Sequence, residues 1–181
     1  MILIMSEEFV DKLIAITGKR RELVHGTHLF YQGDRVKKIF VIEKGYIELT
    51  RHQIDGKSIV LQRASCKTVL AEASVYSDIY HCDAVVALST SIYELPKNAF
   101  LAHLREDDDF SNLWAAHLAG EVQNARYRSE ILSRKTVAAR LDGWLAWQGN
   151  NLPKKGQWKG IAAQIGISPE ALYRELAKRR P

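Results

Sequence analysis

Residues 162–176 read AAQIGISPEALYREL. Just ahead of the turn, Trp158, Ile161, Ala162 and Ile165 fall three or four apart, which predicts a short amphipathic helix running into Gly166. A tight turn there needs a residue that tolerates a left-handed backbone, and glycine does. Ser168-Pro169-Glu170 then has the order of a helix start: a capping hydroxyl, a proline at the first helical position and an acid against the positive helix end. Leu172 and Leu176 give the second helix its apolar face. Two short helices across such a turn are a helix-turn-helix, whose second helix lies in the major groove of DNA.

Glu170 and Arg174 are four apart and project from one face. Arginine can hold guanine through two hydrogen bonds, and glutamate can accept from cytosine N4. Ser168 and Ala171 sit beside them at the helix start, while Lys159, Lys178, Arg179 and Arg180 are candidate phosphate contacts. The alternative is a plain helical hairpin carrying an intrahelical Glu–Arg pair, worth about 0.2–0.5 kcal/mol. The charge distribution favours the first reading. From Arg126 to Pro181 there are 12 Lys/Arg against 4 Asp/Glu, a net of +8, while residues 1–125 carry a net of −3. A basic end on a mildly acidic body points to a polyanion, nucleic acid before a membrane surface.

Upstream, residues 134–148 predict a further helix, and 109–132 a long one of about 36 Å at 1.5 Å per residue. Its apolar stripe includes Leu113, Trp114, Leu118 and Val122, with His117 alongside. Such a stripe packs on the body of its own chain or on a second copy, so these five residues are the candidate dimer interface. The acidic run 105–109, REDDD, reads as a solvated helix start.

Residues 23–95 change period. Short runs rich in Val, Ile, Leu and Tyr alternate with glycines in THLFYQGD, KKIFVIEKGYIELTRH, DGKSIVLQRA and AVVALSTSIYELP. Asp55-Gly56 between two runs signals a hairpin. Many short strands at close spacing predict a sandwich or barrel. Residues 6–17 predict a short helix ahead of it, with Ser6 as cap and Gly18 as stop.

The remaining composition excludes several classes. The chain has 181 residues, 46% hydrophobic and 26% charged, enough to build a core. The apolar start MILIM is five residues long, too short for a secretory signal, and no run reaches a membrane span; a soluble cytoplasmic protein is expected. Cys66 and Cys82 form no CxxC pair, so a four-cysteine metal or cluster site within one chain is excluded. No nucleophile elbow, oxyanion motif or phosphate loop is present, so no enzymatic activity is expected.

In this order of elements the chain resembles the Crp/Fnr superfamily of bacterial transcription regulators. The resemblance rests on LFYQGD (29–34), IFVIEKGYIEL (39–49), DGKSIVL (55–61), AEASVY (71–76) and the segment 162–176. It implies an α+β chain. Residues 1–108 would be a cyclic-nucleotide-binding-like, jelly-roll-type double-stranded β-helix barrel, 109–133 a dimerisation helix and 134–181 a helix-turn-helix domain. It implies a homodimer on double-stranded DNA, with RNA polymerase and an unidentified small-molecule effector as further partners and no resident cofactor. Glu170 and Arg174 stand at two usual base-reading positions, and the third is Pro169. Family members continue into a β-hairpin wing; with the sequence ending at Pro181, a wingless domain is expected.

The resemblance also frames YHCDAV (80–85). Nucleotide-binding members carry a Gly-Glu pair and, about ten residues on, an Arg-Ser pair that holds the cyclic phosphate. The matching positions here are Ala71-Glu72 and Cys82-Asp83. With the cation replaced by a thiol and the hydroxyl by a carboxylate, cAMP binding in the usual way is not expected. Three readings of the trio stand open. In the first, Cys82 and Ala84 point inward on a strand while His81 and Asp83 face out or bond locally. In the second, the cavity takes a different small ligand. In the third, His81, Cys82 and perhaps Cys66 form a metal or redox site, against which strand alternation sets His81 and Cys82 on opposite faces.

Overall fold

The computed structural model describes residues 7–16, 18–54, 56, 58–152 and 155–179. Ser6, Asp55 and Arg180, which carry the expected cap, hairpin residue and phosphate contact, lie outside the described residues. The chain is α+β and divides into two compact units, Ile4–His117 and Leu118–Pro181. The division falls inside the long helix rather than at either of its ends.

The first unit is an antiparallel sheet of six strands: β1 (Lys19–Leu23), β2 (His28–Phe30), β3 (Lys38–His52), β4 (Ser58–Ala64), β5 (Val69–Leu70) and β6 (Asp83–Pro96). Its main path runs β1-β6-β3-β4, with β2 on β6 and β5 on β3. Phe30, Phe40, Ile42, Ile47, Tyr80 and Ile92 are buried in its core. Gly45 does not end a strand. β3 continues through it by means of a bulge, with register breaks against β6 from Ile42 to Ile47. Gly45 has φ +99°, and a Cβ there would come within 2.5 Å of the Ser89 carbonyl oxygen and 2.6 Å of Thr90 Cα. The Thr90 hydroxyl secures the bulge: Tyr46 N–H donates to it at 2.9 Å, and it donates to the Leu88 carbonyl.

β1 has no apolar alternation, and the sequence gives no sign of it. KRREL exposes four of its five residues, and ionic contacts tie it to the sheet. Arg20 lies 2.9 Å from Glu43, and Arg21 lies 2.9 Å from Glu94, whose other oxygen takes Lys38 at 2.5 Å. A charged edge strand of this kind also resists pairing with a foreign strand.

Three helices pack with this sheet unit through aromatic rings: α1 (Glu7–Ala15), α2 (Lys97–Glu106) and the first part of α3 (Asp108–Ser133). Phe9 stands 5.4 Å from Phe110, and Phe100 stands 4.8 Å from Trp114. The acidic run resolves into a junction. Asp107 separates α2 from α3 and caps the latter, its Oδ1 accepting from Phe110 N–H at 2.9 Å.

The second unit is helical: the end of α3, α4 (Val137–Trp147), α5 (Trp158–Gln164) and α6 (Pro169–Lys178) around Ile131, Leu141, Trp144, Ile161, Ile165 and Leu172. α4 starts three residues later than the sequence predicts because Thr136 caps it, accepting from Ala139 N–H at 3.1 Å.

Candidate functional site

The barrel positions of interest meet at a small cavity. After β5 the chain turns through Ala71, a left-handed residue with φ 71°, into a 3-10 turn at Glu72–Ser74. This turn, together with Phe30, Leu49, Leu61, Gln62, His81 and Cys82, walls a cavity of about 80 Å3. Three of the four expected effector-pocket residues, Ala71, Glu72 and Cys82, therefore line one space.

The fourth does not. Asp83 is buried, at 6% exposure, yet faces another way: its Oδ1 accepts from Gln32 N–H at 2.7 Å and its Oδ2 lies 3.4 Å from His52 Nε2. The repulsion expected of a carboxylate beside a phosphate therefore does not arise from Asp83. Among the described residues no lysine or arginine lines the cavity; Arg51 approaches it by bonding the His81 carbonyl.

Strand alternation also fails for His81 and Cys82. β6 begins only at Asp83, so the two preceding residues are free of the pleat, and both line the cavity. His81 Nδ1 lies 3.0 Å from the buried Ser74 hydroxyl, and its carbonyl accepts from Arg51 Nε and Nη2 at 3.2 and 2.8 Å. Burial, then the Arg51 charge, hold the imidazole below its ordinary pKa, so it is neutral at neutral pH. Cys82 is 1% exposed, and burial pushes its thiol up to about 11. A thiol so protonated is a poor nucleophile and metal ligand. Cys66 is exposed and does not line the cavity, and among the described residues no group of three or more His, Cys, Asp or Glu is placed to hold a metal ion. Ser74, Gln62 and Arg51 carry no sequence signal; the fold alone brings them to His81.

In the helical unit, α5 ends in a Schellman turn. Ile167 N–H reaches the Ala162 carbonyl at 3.0 Å and Gly166 N–H the Ala163 carbonyl at 3.3 Å, with Gly166 at φ 64°. Ser168 caps α6, accepting from Ala171 N–H at 3.2 Å, and Pro169 occupies its first turn. Arg140, which sequence reading passes over, fastens the turn. Its guanidinium donates to the carbonyls of Leu132, Arg134, Ile165 and Gly166 at 2.8–3.2 Å.

The expected contact residues on and near α6 divide into two sets. Glu170 and Arg174 are exposed, as is Lys159, and among the described residues none of the three makes a side-chain hydrogen bond or ion pair. Lys178 is exposed and 3.8 Å from Glu175. Arg179, also a candidate phosphate contact, is engaged within its own chain. It lies 2.5 Å from Asp142 and 3.0 Å from Glu175, and donates to the Ala138 carbonyl at 3.2 Å. These bonds tie the end of α6 to α4.

On α3, Trp114 is packed within its own chain. Its ring is 3% exposed, packed on Phe9, Phe100 and His117 of its own chain, which leaves little for a partner. Leu113, His117 and Leu118 are half-buried, while Val122 is 50% exposed. Among the described residues no helix is long and apolar enough to cross a membrane.

Comparison with known proteins places these features. Residues 20–107 match the family model of the cyclic nucleotide-binding domain. Among solved structures, FixK2 of Bradyrhizobium japonicum superposes with a TM-score of 0.75 at 16% identity, covering 89% of this chain and 83% of its own. The c-di-GMP-responsive global regulator CLP of Xanthomonas campestris gives 0.69 at 15% identity, over 94% of this chain and 90% of its own. The catabolite activator protein of Thermus thermophilus gives 0.58 at 23% identity, over 96% of this chain and 83% of its own. These are likenesses of fold. Among curated proteins no sequence matches.

Proposed function

Taking residues 20–107 as a cyclic nucleotide-binding domain, in a chain that resembles the Crp/Fnr regulators, we propose that this protein is a sequence-specific DNA-binding transcription regulator acting as a homodimer. The observation that carries the reading is α6: a capped helix after a glycine turn, with Glu170 and Arg174 exposed and uncommitted on one face. In this reading the helix enters the major groove, Arg174 and Glu170 read bases, and Lys159 and Lys178 supply salt-dependent affinity to phosphates. Two copies would address half-sites about one helical turn apart, paired through the α3 face that includes Leu113, Leu118 and Val122. Residues 1–108 act as sensor, 109–133 as dimer helix and 134–181 as helix-turn-helix domain.

The barrel in this reading does not take cAMP in the usual way. A cyclic phosphate needs a cation, and among the described residues none lines the wall. The cavity, at about 80 Å3, is also well below the roughly 300 Å3 at which small-molecule pockets usually begin.

Selection from a random pool of duplex DNA with the purified protein tests the reading. A two-fold symmetric enriched site is expected. Absence of any enrichment at low salt would contradict it and bring forward the second reading, an interaction or sensing module that does not bind DNA. That reading is favoured by one observation, the internal neutralisation of Arg179.

A further inference from the structure

We propose that the cleft between α3 and α4 in the helical unit is a binding site for an uncharged, flat aromatic molecule that carries a carbonyl or amide group. The inference stands apart from both the barrel cavity and the DNA reading of α6.

The cleft has the room. Its volume is about 640 Å3, within the roughly 300–1,000 Å3 of small-molecule pockets. Small residues keep it open on the α4 side: Gly143 and Ala146 lie three apart and share a helix face, while α3 contributes Ile131. Glycine weakens a helix interior, and Gly143 has a local reason to be there. A Cβ added to it would meet the Arg134 guanidinium at 3.0 Å. Arg134 therefore lies down against α4, where a larger residue would displace it.

The rings set the shape of the ligand. Tyr127 lines the cleft from α3 and Trp147 from α4, with centroids 6.4 Å apart and planes 24° from parallel. Tyr127 is 51% exposed. A tyrosine ring left so open beside a second ring offers stacking area to a flat molecule.

The ion pairs set its charge. Two acids line the cleft and each is engaged within the chain, Glu130 with Arg134 at 2.8 Å and Asp142 with Arg179 at 2.5 Å. A charged ligand would compete with one of these pairs, and an uncharged one need not. Arg134 Nη2 donates to Glu130 and Nη1 to the Ala139 carbonyl at 3.3 Å, fewer bonds than a guanidinium has N–H groups. Gln123 adds an exposed amide to the wall. A carbonyl oxygen is the acceptor that these donors suit. A second copy of the chain is the less fitting occupant. Tyr127 stands about 140° around α3 from Val122 and about 180° from Leu118, so pairing through those two residues leaves the cleft free.

Indole-3-carboxamide is a suitable probe, being flat, uncharged and amide-bearing. Cyclohexanecarboxamide keeps the amide without the aromatic face, and indole-3-carboxylate keeps the ring and adds a charge. Each would be titrated into the full chain while the Tyr127 ring and Trp147 indole N–H resonances are followed. Indole-3-carboxamide should shift both saturably in the millimolar range, and the other two should bind more weakly by about 3-fold or more. Tyr127→Ala should weaken the probe about 3- to 10-fold, the worth of one aromatic pair, and Tyr127→Phe should keep its affinity. Ala146→Leu, at an exposed position, should fill the cleft and abolish binding, with Tm recorded so that only folded variants are compared. Absence of saturable shifts, or full affinity in folded Tyr127→Ala, would overturn the site. Equal or tighter binding of cyclohexanecarboxamide or indole-3-carboxylate would overturn the ligand class.

Discussion

The cavity wall and the outer face of α6 hold their polar groups in opposite ways. Around the cavity the chain meets its own polar atoms: Ser74 meets His81, and Arg51 holds the His81 carbonyl. On α6, Glu170 and Arg174 stand open to solvent on a helix whose two ends are fixed from beneath by Ser168 and Arg179. Polar residues whose bonds close within the chain maintain shape. Those left open on a rigid element are where a partner can bind without displacing anything. Residue type alone does not separate the two, since Arg174 lies within α6 and Arg179, five residues on, is its C-cap.

The largest effect is expected where the barrel's shape depends on a missing side chain. Gly45→Ala would drive a methyl into the Ser89–Thr90 backbone at a positive φ, and should cost about 3 kcal/mol or more of stability; a denaturant midpoint within error of wild type would show that the bulge can relax. Asp83→Ala removes the acceptor of the Gln32 N–H at a part-buried site and should cost about 1 kcal/mol by thermal melting. Asp83→Ala would also sharpen the comparison, because the residue is structural and duplex affinity measured well below Tm should be unchanged.

Glu94 gives a pH signature in the barrel. Burial pushes its carboxyl up, but the hydrogen bonds from Lys38 and Arg21 outweigh burial and hold it below the ordinary 4.5. A depressed carboxyl contributes stability that is present above its unfolded value and is lost as pH falls through its folded value. Because Lys38 and Arg21 are half-exposed, the contribution is about 1 kcal/mol. Glu94→Gln should lower Tm at pH 7 and flatten the decline of Tm below pH 4.5; a parallel acid decline in both proteins would contradict the assignment. The smallest effect concerns reactivity. Exposed Cys66 should be alkylated at pH 8 within minutes, while Cys82, buried and with its thiol near 11, should react only on unfolding.

Much of the helical half was legible because its signals are local. A glycine, a capping serine and a first-turn proline mark the turn between α5 and α6 within four residues, and the structure forms each feature there. The barrel was legible in its apolar runs and not in β1, which pairs antiparallel with β6 and adds ion pairs to residues more than 20 positions away. The trio at 81–83 misled for a related reason. Alternation assumes a strand, and β6 begins only at Asp83, after both His81 and Cys82, so these two share a wall while Asp83 leaves it. The roles of Arg140 and Arg179 follow from carbonyls and carboxylates brought close only by the packing of α3, α4 and α6.

The most direct test compares the two arginines of α6 on the selected duplex at fixed salt, with Tm measured alongside. Arg174→Ala should leave Tm within about 0.5 kcal/mol of wild-type stability, weaken the selected site by about 1–3 kcal/mol and relax preference at one base pair in each half-site. Arg179→Ala should instead lower Tm and, below it, bind with the wild-type base preference. Unchanged affinity and preference in Arg174→Ala would contradict the assignment of the open face of α6 to DNA.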